Sequence, residues 1–239
     1  MSRSAPGSGE RWAVAAADLL LGSRCHGCGV AGWGVCPACR ASVAEHRPYV
    51  TVPDPAPAGF PTTVTSAPYE EVLRHTVSAH KDRQALTLTR FLAERLALSV
   101  HALLAASGAR VAGRPVSLVP VPSAAAAVRR RGFDATTAMA RLAARRLQPA
   151  YAVGVERLLA QRRGVVDQAG LTAEQRAANL RRGVRLRTSG RGRPVVLVDD
   201  VVTTGASLAG AARVLRAAGV EVLGAATVAA TVRRARTEN

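Results

Sequence analysis

Residues 195–207 read Val195-Val-Leu-Val-Asp-Asp-Val-Val-Thr-Thr-Gly-Ala-Ser207. Four consecutive apolar β-formers open the segment and predict a buried strand over Val195–Val198. Asp199 and Asp200 follow directly, at the end of the strand where ligands collect in open parallel sheets. Adjacent carboxylates at this position can accept hydrogen bonds from two neighbouring sugar hydroxyls, and they can help to hold a Mg²⁺ ion.

The second half of the segment has the composition of a phosphate-binding turn. Thr203, Thr204, Gly205, Ala206 and Ser207 lead into a helix that is predicted to run from Ala206 to Ala218. The first amides of a helix have no partners within it, so they favour a phosphate monoester. Gly205 is expected to permit the tight turn and to let the backbone approach the phosphate oxygens. A P-loop is excluded because no Gly-Lys-Thr/Ser tripeptide occurs.

The other segments alternate between helix and strand patterns. We predict helical regions over Tyr69–Ala106, over Ala135–Leu147, and from the capping box Thr172/Gln175 to about Leu180. Strands are predicted over Val116–Val121, Val184–Leu186 and Val220–Ala230, with a weaker one over Val153–Leu159. Residues 161–170 are predicted to form a mobile loop. This alternation predicts an α/β fold in which helices flank a parallel sheet.

All four cysteines lie near the N-terminus. Cys25, Cys28, Cys36 and Cys39 form two C-x-x-C pairs that seven residues separate. Two such knuckles supply four thiolates for a tetrahedral site, which favours a structural zinc ion. Gly27 and Gly29 are expected to let the first knuckle turn sharply. A thiol redox switch and plain buried cysteines are the alternatives.

Composition divides the chain into four parts. We predict a disordered tail over 1–10, a zinc-binding module over 11–47, a Pro-rich linker or edge strand over 48–68, and the main α/β domain over 69–239. Hydrophobic residues make up 48% of the chain but aromatic residues only 3%. The core must therefore consist of Ala, Val and Leu.

The chain is strongly basic. Its 33 basic and 16 acidic residues give a formal net charge of +17, and Lys81 is the sole lysine. This charge predicts affinity for phosphate groups and non-specific affinity for nucleic acid. A dedicated single-strand binder is disfavoured, because such proteins place aromatic residues among their cations.

Neither an export signal nor a membrane span is expected. No 18-residue apolar run occurs, and Arg11 and Asp18 interrupt the apolar stretch near the N-terminus. These features predict a cytoplasmic protein in a reducing compartment, where a disulfide framework is not expected.

The segment Val195–Ser207 resembles the signature of type I phosphoribosyltransferases. Upstream, Val119-Pro-Val-Pro122, Arg131-Gly-Phe133, Gln168, Leu171, Arg176 and Asn179 resemble, in order and spacing, the ComF (competence protein F) branch of that family. This resemblance implies a ligand, phosphoribosyl pyrophosphate, that binds with Mg²⁺. It also implies a link with DNA uptake and hence a DNA-processing protein partner.

The resemblance also assigns roles to residues. Asp199 and Asp200 would contact the ribose hydroxyls, and the turn Thr203, Thr204, Gly205, Ala206 and Ser207 would hold the 5′-phosphate. Lys81, Ser123, Arg129, Arg130 and Arg131 are the candidates for the pyrophosphate; arginine suits a diphosphate because its guanidinium binds two oxygens at once. Arg163, Gln168 and Arg176 are the candidates on the mobile loop.

Two departures from the ComF pattern bear on function. Ala124–Ala127 stand where relatives often carry His and Lys or Arg, and the loop has Gln161, Arg163, Val165 and Gln168 in place of Arg-x-Arg-x-Thr-x-x-Gln. Both changes remove groups from the pyrophosphate and hood regions that the resemblance implies. Two functions therefore remain open: an enzyme that transfers phosphoribose to an unknown acceptor, and a non-enzymatic ligand-binding accessory or regulatory protein in DNA uptake or nucleic-acid metabolism.

Overall fold

The computed structural model describes residues 23–82, 85–148, 150–161, 183–190 and 192–231. The predicted tail 1–10, the capping box Thr172/Gln175 and nearly all of the predicted loop 161–170 lie outside these residues. In the described part of the chain, no helix combines the length and the apolar character that a membrane crossing requires.

Six strands form one mixed sheet in the order β1-β2-β8-β7-β3-β4, and β5 and β6 form a separate antiparallel hairpin. Their bounds are β1 Tyr49–Thr51, β2 Thr63–Pro68, β3 Val116–Pro120, β4 Val153–Val155, β5 Leu159–Gln161, β6 Val184–Leu186, β7 Val195–Val202 and β8 Val222–Ala230. All neighbours in the large sheet are parallel except β1, which pairs antiparallel with β2 at one edge.

Helices cover both faces of the sheet. Their bounds are α1 Pro37–Ala44, α2 Glu71–Asp82, α3 Leu88–Ser107, α4 Ala125–Arg131, α5 Ala135–Leu147 and α6 Ala206–Ala217, with a short 3₁₀ turn over Gly108–Arg110. Val196 and Val198 of β7 belong to the core under α3 and α5, whereas Val195 and Leu197 belong to the core under α6. This two-sided burial explains the uninterrupted apolar run and confirms the predicted α/β fold.

The structure differs from the predicted elements in four places. The helical region 69–106 is two helices, because Ala85–Thr87 form a turn in which Leu86 is exposed. The strand predicted over 153–159 is also two: β4 pairs with β3 in the large sheet, and β5 pairs with β6. Strand β7 continues to Val202, so the two acids lie within it and not after it.

The fourth difference concerns the Pro-rich segment 48–68. The sequence predicts a linker or edge strand, but the segment contributes β1 at the edge and β2 inside the sheet, where Thr63–Ala67 are buried. Short polar strands next to prolines carry too little hydrophobic pattern to be recognised. The division of the chain into domains stays a prediction.

Candidate functional site

The two acids of β7 lie where one neighbouring strand has ended. Pairing between β3 and β7 stops at Pro120 and Val198, whereas β8 continues beside β7 as far as Val202. Asp200 is only 3% exposed, and its Oδ1 accepts a hydrogen bond of 2.8 Å from the Val201 amide. Oδ1 of Asp199 accepts one of 2.9 Å from the Asp200 amide. The backbone therefore fixes both carboxylates.

Lys81, at the end of α2, forms an ion pair with Oδ2 of Asp200. Burial and the neighbouring Asp200 carboxylate raise the pKa of Asp199, although Lys81 opposes this rise. Burial lowers the pKa of Lys81, but the two carboxylates outweigh burial and raise it. The structure thus joins the sole lysine to the acid pair, and the ammonium group remains charged.

His80 lies beside this ion pair and was not predicted from the sequence. It is 1% exposed, its Nε2 shares a hydrogen bond of 2.9 Å with Thr89 Oγ1, and its ring meets the edge of Phe133 with the ring centres 5.5 Å apart. Burial lowers the pKa of His80 to about 4, in spite of the opposing effect of Asp200. The imidazole is therefore neutral. In the sequence, the feature that could have pointed to His80 is its position next to the sole lysine, Lys81.

The turn between β7 and α6 has the predicted glycine, which also makes space for another segment of the chain. Gly205 has φ +71° and stands at the N-cap of α6. A Cβ on Gly205 would lie 2.6 Å from the ring of Phe60 and 2.8 Å from Pro53. The missing Cβ therefore makes room for the segment before β2, and the approach of phosphate oxygens to this glycine stays a prediction. Thr203 and Thr204 are exposed.

Two of the predicted pyrophosphate residues, Ser123 and Arg129, line an open cavity of about 430 Å³ beyond the end of β3. Arg130, in the last turn of α4, is exposed and does not line this cavity. Nε of Arg131 donates to the Ala127 carbonyl at 3.0 Å. The predicted loop residues Arg163, Gln168 and Arg176 lie outside the described residues.

The opposite wall of the cavity carries three arginines that sequence reasoning missed, Arg157, Arg185 and Arg187. Arg157 lies between β4 and β5, and the other two belong to β6 and the residues just after it. No motif marks them in a chain so rich in arginine. The antiparallel pairing of β5 and β6 brings Arg185 and Arg187 to this wall, beside Arg157.

The four cysteine sulfurs lie within 4.8 Å of one another. Cys25 Sγ and Cys39 Sγ are 3.9 Å apart, and Cys28 Sγ and Cys36 Sγ are 3.7 Å apart. Four ligands on a tetrahedral zinc ion, each about 2.3 Å from the metal, would be about 3.8 Å apart. The cluster therefore fits a metal such as zinc.

Backbone amides favour a thiolate in this cluster. Cys25 Sγ accepts hydrogen bonds of 3.2 Å from the Cys36 amide and 3.3 Å from the Gly27 amide. Burial raises the pKa of Cys25, but these and other backbone hydrogen bonds outweigh burial and lower it to about 6. A Cβ on Gly27 would lie 2.7 Å from Cys39 Sγ, so this glycine is needed for space, whereas Gly29, at φ +77°, serves the turn.

The cysteine cluster packs against the same helices that shape the acid pair. Nδ1 of His75, on α2, donates to the Gly27 carbonyl at 3.0 Å. Arg40 of α1 forms an ion pair of 3.4 Å with Glu94 of α3 and covers the Phe91 ring at 5.1 Å. Helix α2 therefore contacts the cysteine cluster through His75 and the acid pair through Lys81.

The comparisons with known proteins agree with this geometry. A search among curated proteins found no match to the chain. The family model described as the phosphoribosyl transferase domain matches residues 104–239, which include β3, the cavity wall, both acids and the turn before α6. Because this match covers more than half of the chain, the protein belongs to the phosphoribosyl transferase domain family.

Proposed function

We propose that the protein binds phosphoribosyl pyrophosphate at the end of β7 and transfers its phosphoribosyl group to an acceptor. One observation carries this proposal: two backbone-fixed carboxylates on β7 are followed within a few residues by a turn with exposed threonine hydroxyls and the N-terminus of α6. A sugar phosphate has neighbouring hydroxyls at one end and a phosphate at the other, so it matches both halves of the site.

The roles follow from the chemistry of each group. Asp199 and Asp200 would accept hydrogen bonds from the two ribose hydroxyls. Thr203, Thr204 and the amides of Gly205, Ala206 and Ser207 would surround the 5′-phosphate. Lys81, which already neutralises Asp200, would also face the negative charge of the ligand. Ser123 and Arg129, beside the end of β3, would bind the pyrophosphate.

A Mg²⁺ ion suits the donors present, because Asp199 and Asp200 offer the carboxylate oxygens that this hard cation prefers. When bound, Mg²⁺ would supply positive charge that neutralises the diphosphate. In the transfer, a lone pair of the acceptor forms a bond to the anomeric carbon, the bond from that carbon to the diphosphate oxygen breaks, and diphosphate leaves with the electron pair. Arg129 and Lys81 would stabilise the charge that collects on the leaving group.

The proposal extends to the whole chain. We infer a ComF-like protein in which a zinc module over 11–47 precedes a phosphoribosyltransferase-like domain over 69–239. The close cysteine sulfurs support the first part and the family match supports the second. Because β1 and β2 join the large sheet, residues 48–68 would serve that domain as structural strands.

A non-enzymatic ligand-binding protein is the second candidate, and one observation favours it. Ala124–Ala126 are exposed at the start of α4, next to the pyrophosphate candidates, and offer no charge there. Such a protein would bind phosphoribosyl pyrophosphate without releasing diphosphate. A diphosphate-release assay with a panel of acceptors separates the two candidates.

Calorimetry with phosphoribosyl pyrophosphate and Mg²⁺ tests the shared part of both candidates. The double variant Asp199→Asn/Asp200→Asn keeps the shape of the site but removes its charge, and we expect about a hundredfold weaker binding, since two charged hydrogen bonds are lost. Ribose 5-phosphate should still bind weakly through the turn. The control Glu45→Gln removes an exposed carboxylate at the end of α1 and should bind like the wild type. Unchanged affinity in the double variant would overturn the proposed site.

A further inference from the structure

The cavity beyond β3 has a second wall of cations for which the proposed function has no role. Its volume of about 430 Å³ is within the range of small-molecule sites. Ser123 and Arg129 form one side with the end of β3 and α4. Arg157, Arg185 and Arg187 form the other side, on the segment that leads into β5 and on the β5–β6 hairpin.

The hairpin directs its arginines away from the core. In β6, Val184 is buried and Leu186 packs against the core under α6, whereas Arg185 and Arg187 are exposed. Alternate residues of a strand point to opposite faces, so the two arginines share the face that lines the cavity. Nε2 of Gln161 donates to the Pro122 carbonyl at 3.3 Å and ties the hairpin to the opposite wall.

The charge of the cavity is unbalanced. Among the described residues that line it, four are arginines and one, Asp134, is a carboxylate. Arg129 is assigned to the pyrophosphate, so the other three arginines and Asp134 leave 3 − 1 = 2 positive charges for a second ligand. Asp134 is already engaged: it accepts hydrogen bonds of 3.1 Å from the Thr137 amide and 2.8 Å from the Thr137 hydroxyl, and it pairs with Arg157 at 3.5 Å. A cleft of this kind concentrates anions.

Apolar residues form part of the remaining surface of the cavity, which lies at the end of the sheet that carries the acids. Pro120, Pro122, Val128 and Leu159 contribute apolar surface between the two basic walls. Pro120 is opposite Val198 in the sheet, one residue before Asp199. A ligand in the cavity would therefore approach the proposed phosphoribosyl site from the β3 side.

We propose that this cavity binds the acceptor of the phosphoribosyl group, and that the acceptor is a small molecule with a carboxylate or phosphate substituent. Arg157, Arg185 and Arg187 hold the anionic substituent, and the apolar residues contact the rest of the molecule. The inference rests on the proposed function, because it assigns the second substrate of the same site. Arg129 and Ser123 remain with the pyrophosphate.

Two nearly isosteric probes test the charge requirement. Pyridine-3-carboxylate and pyridine-3-carboxamide have the same ring and differ in the charge of one substituent. With protein saturated with phosphoribosyl pyrophosphate and Mg²⁺, we expect calorimetry to give at least about tenfold tighter binding of the carboxylate. Equal affinity for the two probes, or no binding of either, would overturn the proposal.

Variants that remove equal charge from different places show which arginines bind the carboxylate. Arg185→Gln/Arg187→Gln should weaken carboxylate binding about tenfold or more and leave the affinity for phosphoribosyl pyrophosphate unchanged. The control Arg141→Gln/Arg145→Gln removes the same charge from exposed positions of α5 and should change neither. If Arg185→Gln/Arg187→Gln also weakens the binding of phosphoribosyl pyrophosphate, these arginines bind the pyrophosphate, and the proposal is overturned.

The two proposals fail in different ways. If wild-type protein does not bind phosphoribosyl pyrophosphate, the proposed function fails. Titration of the carboxylate into protein alone then still tests the cavity: binding that depends on Arg185 and Arg187 supports the anion site, and binding that the hairpin variant retains contradicts it.

Discussion

Short sequence motifs supply both the four cysteines and the acid pair at the end of β7. The residues that make up the two sites, however, come from different distances along the chain. The four sulfurs come together from the residues between Cys25 and Cys39. Asp200 meets Lys81, and Gly205 meets Phe60, across more than 100 residues. The first region takes its four sulfurs from one short segment, whereas the second takes its charged and packing partners from distant segments.

This difference has consequences for stability and for perturbation. A metal site built from neighbouring residues depends on its ligands and little else, so removal of one ligand should be severe but local. A site assembled from distant segments depends on packing, so substitutions away from the ligand should disturb it. Helix α2 contacts both regions and is the route by which a change in one would reach the other.

The largest effect should come from a ligand of the cysteine cluster. Purified protein should contain about one zinc per chain, and Cys25→Ser should lose it, since structural zinc contributes about 10–16 kcal/mol to the folding of small zinc domains. Elemental analysis measures the metal, and trypsin should cut the variant at Arg40 or Arg47. His26→Ala is the control, because His26 does not belong to the sulfur cluster. A metal-free protein with an intact fold would contradict the prediction.

The second-largest effect is expected at the turn before α6. Two glycine variants distinguish the cost of backbone strain there from the cost of overpacking. Gly205 and Gly219 have φ +71° and +72°, but of these two only Gly205 has neighbouring atoms, those of Phe60 and Pro53, close to the position that a Cβ would take. Gly219→Ala should cost about 1–2 kcal/mol from strain, and Gly205→Ala should cost about 1–3 kcal/mol more from overpacking. Urea denaturation measures both.

A double variant tests the cause of that difference. Gly205→Ala should cost less in a Phe60→Ala background than in the wild type, because the ring that the new methyl group meets is absent there. Equal costs at Gly205 and Gly219 would show that the segment before β2 does not constrain the turn. Loss of phosphoribosyl pyrophosphate binding is expected for Gly205→Ala and not for Gly219→Ala.

A pH effect of similar size should arise at His80, beside the acid pair. Its pKa is about 4 in the folded protein against 6.5 for an unperturbed histidine, so the unfolded chain binds more protons between these values. Stability that is present above pH 6.5 is therefore lost as the pH falls towards 4, by up to about 3 kcal/mol. Urea midpoints at pH 7.5 and pH 5 should differ less for His80→Gln than for the wild type. His101→Gln, at an exposed position of α3, should behave like the wild type.

The smallest effect should come from the ion pairs of Glu94 on α3, one of which joins α3 to α1 of the cysteine module. Glu94 pairs with Arg40, Arg90 and Arg146, but its side chain is 32% exposed. Glu94→Gln should cost only about 0.5–1 kcal/mol, and high salt should reduce this cost because exposed pairs are screened. A loss above about 2 kcal/mol in denaturation experiments would contradict this prediction.

Local patterns predicted much of the fold and the chemistry of the cysteine cluster. Val195–Val198, Ala135–Leu147 and Val184–Leu186 form the strand, helix and strand that their hydrophobic patterns predicted. Strand β2 escaped prediction because its residues are polar and its burial comes from β1, β8 and α3, not from its own pattern. The break between α2 and α3 was missed because both helices carry continuous helical periodicity.

By itself the sequence determined the α/β class, the pairing of two acids with a Thr/Gly/Ser turn, and the grouping of four cysteines, because these depend on residues that are close along the chain. Only the tertiary structure decided that Lys81 neutralises Asp200, that Phe60 occupies the space beside Gly205, and that three unmarked arginines face one cavity. Such contacts depend on which distant segments the sheet and its helices bring together, and no local periodicity or spacing encodes that choice.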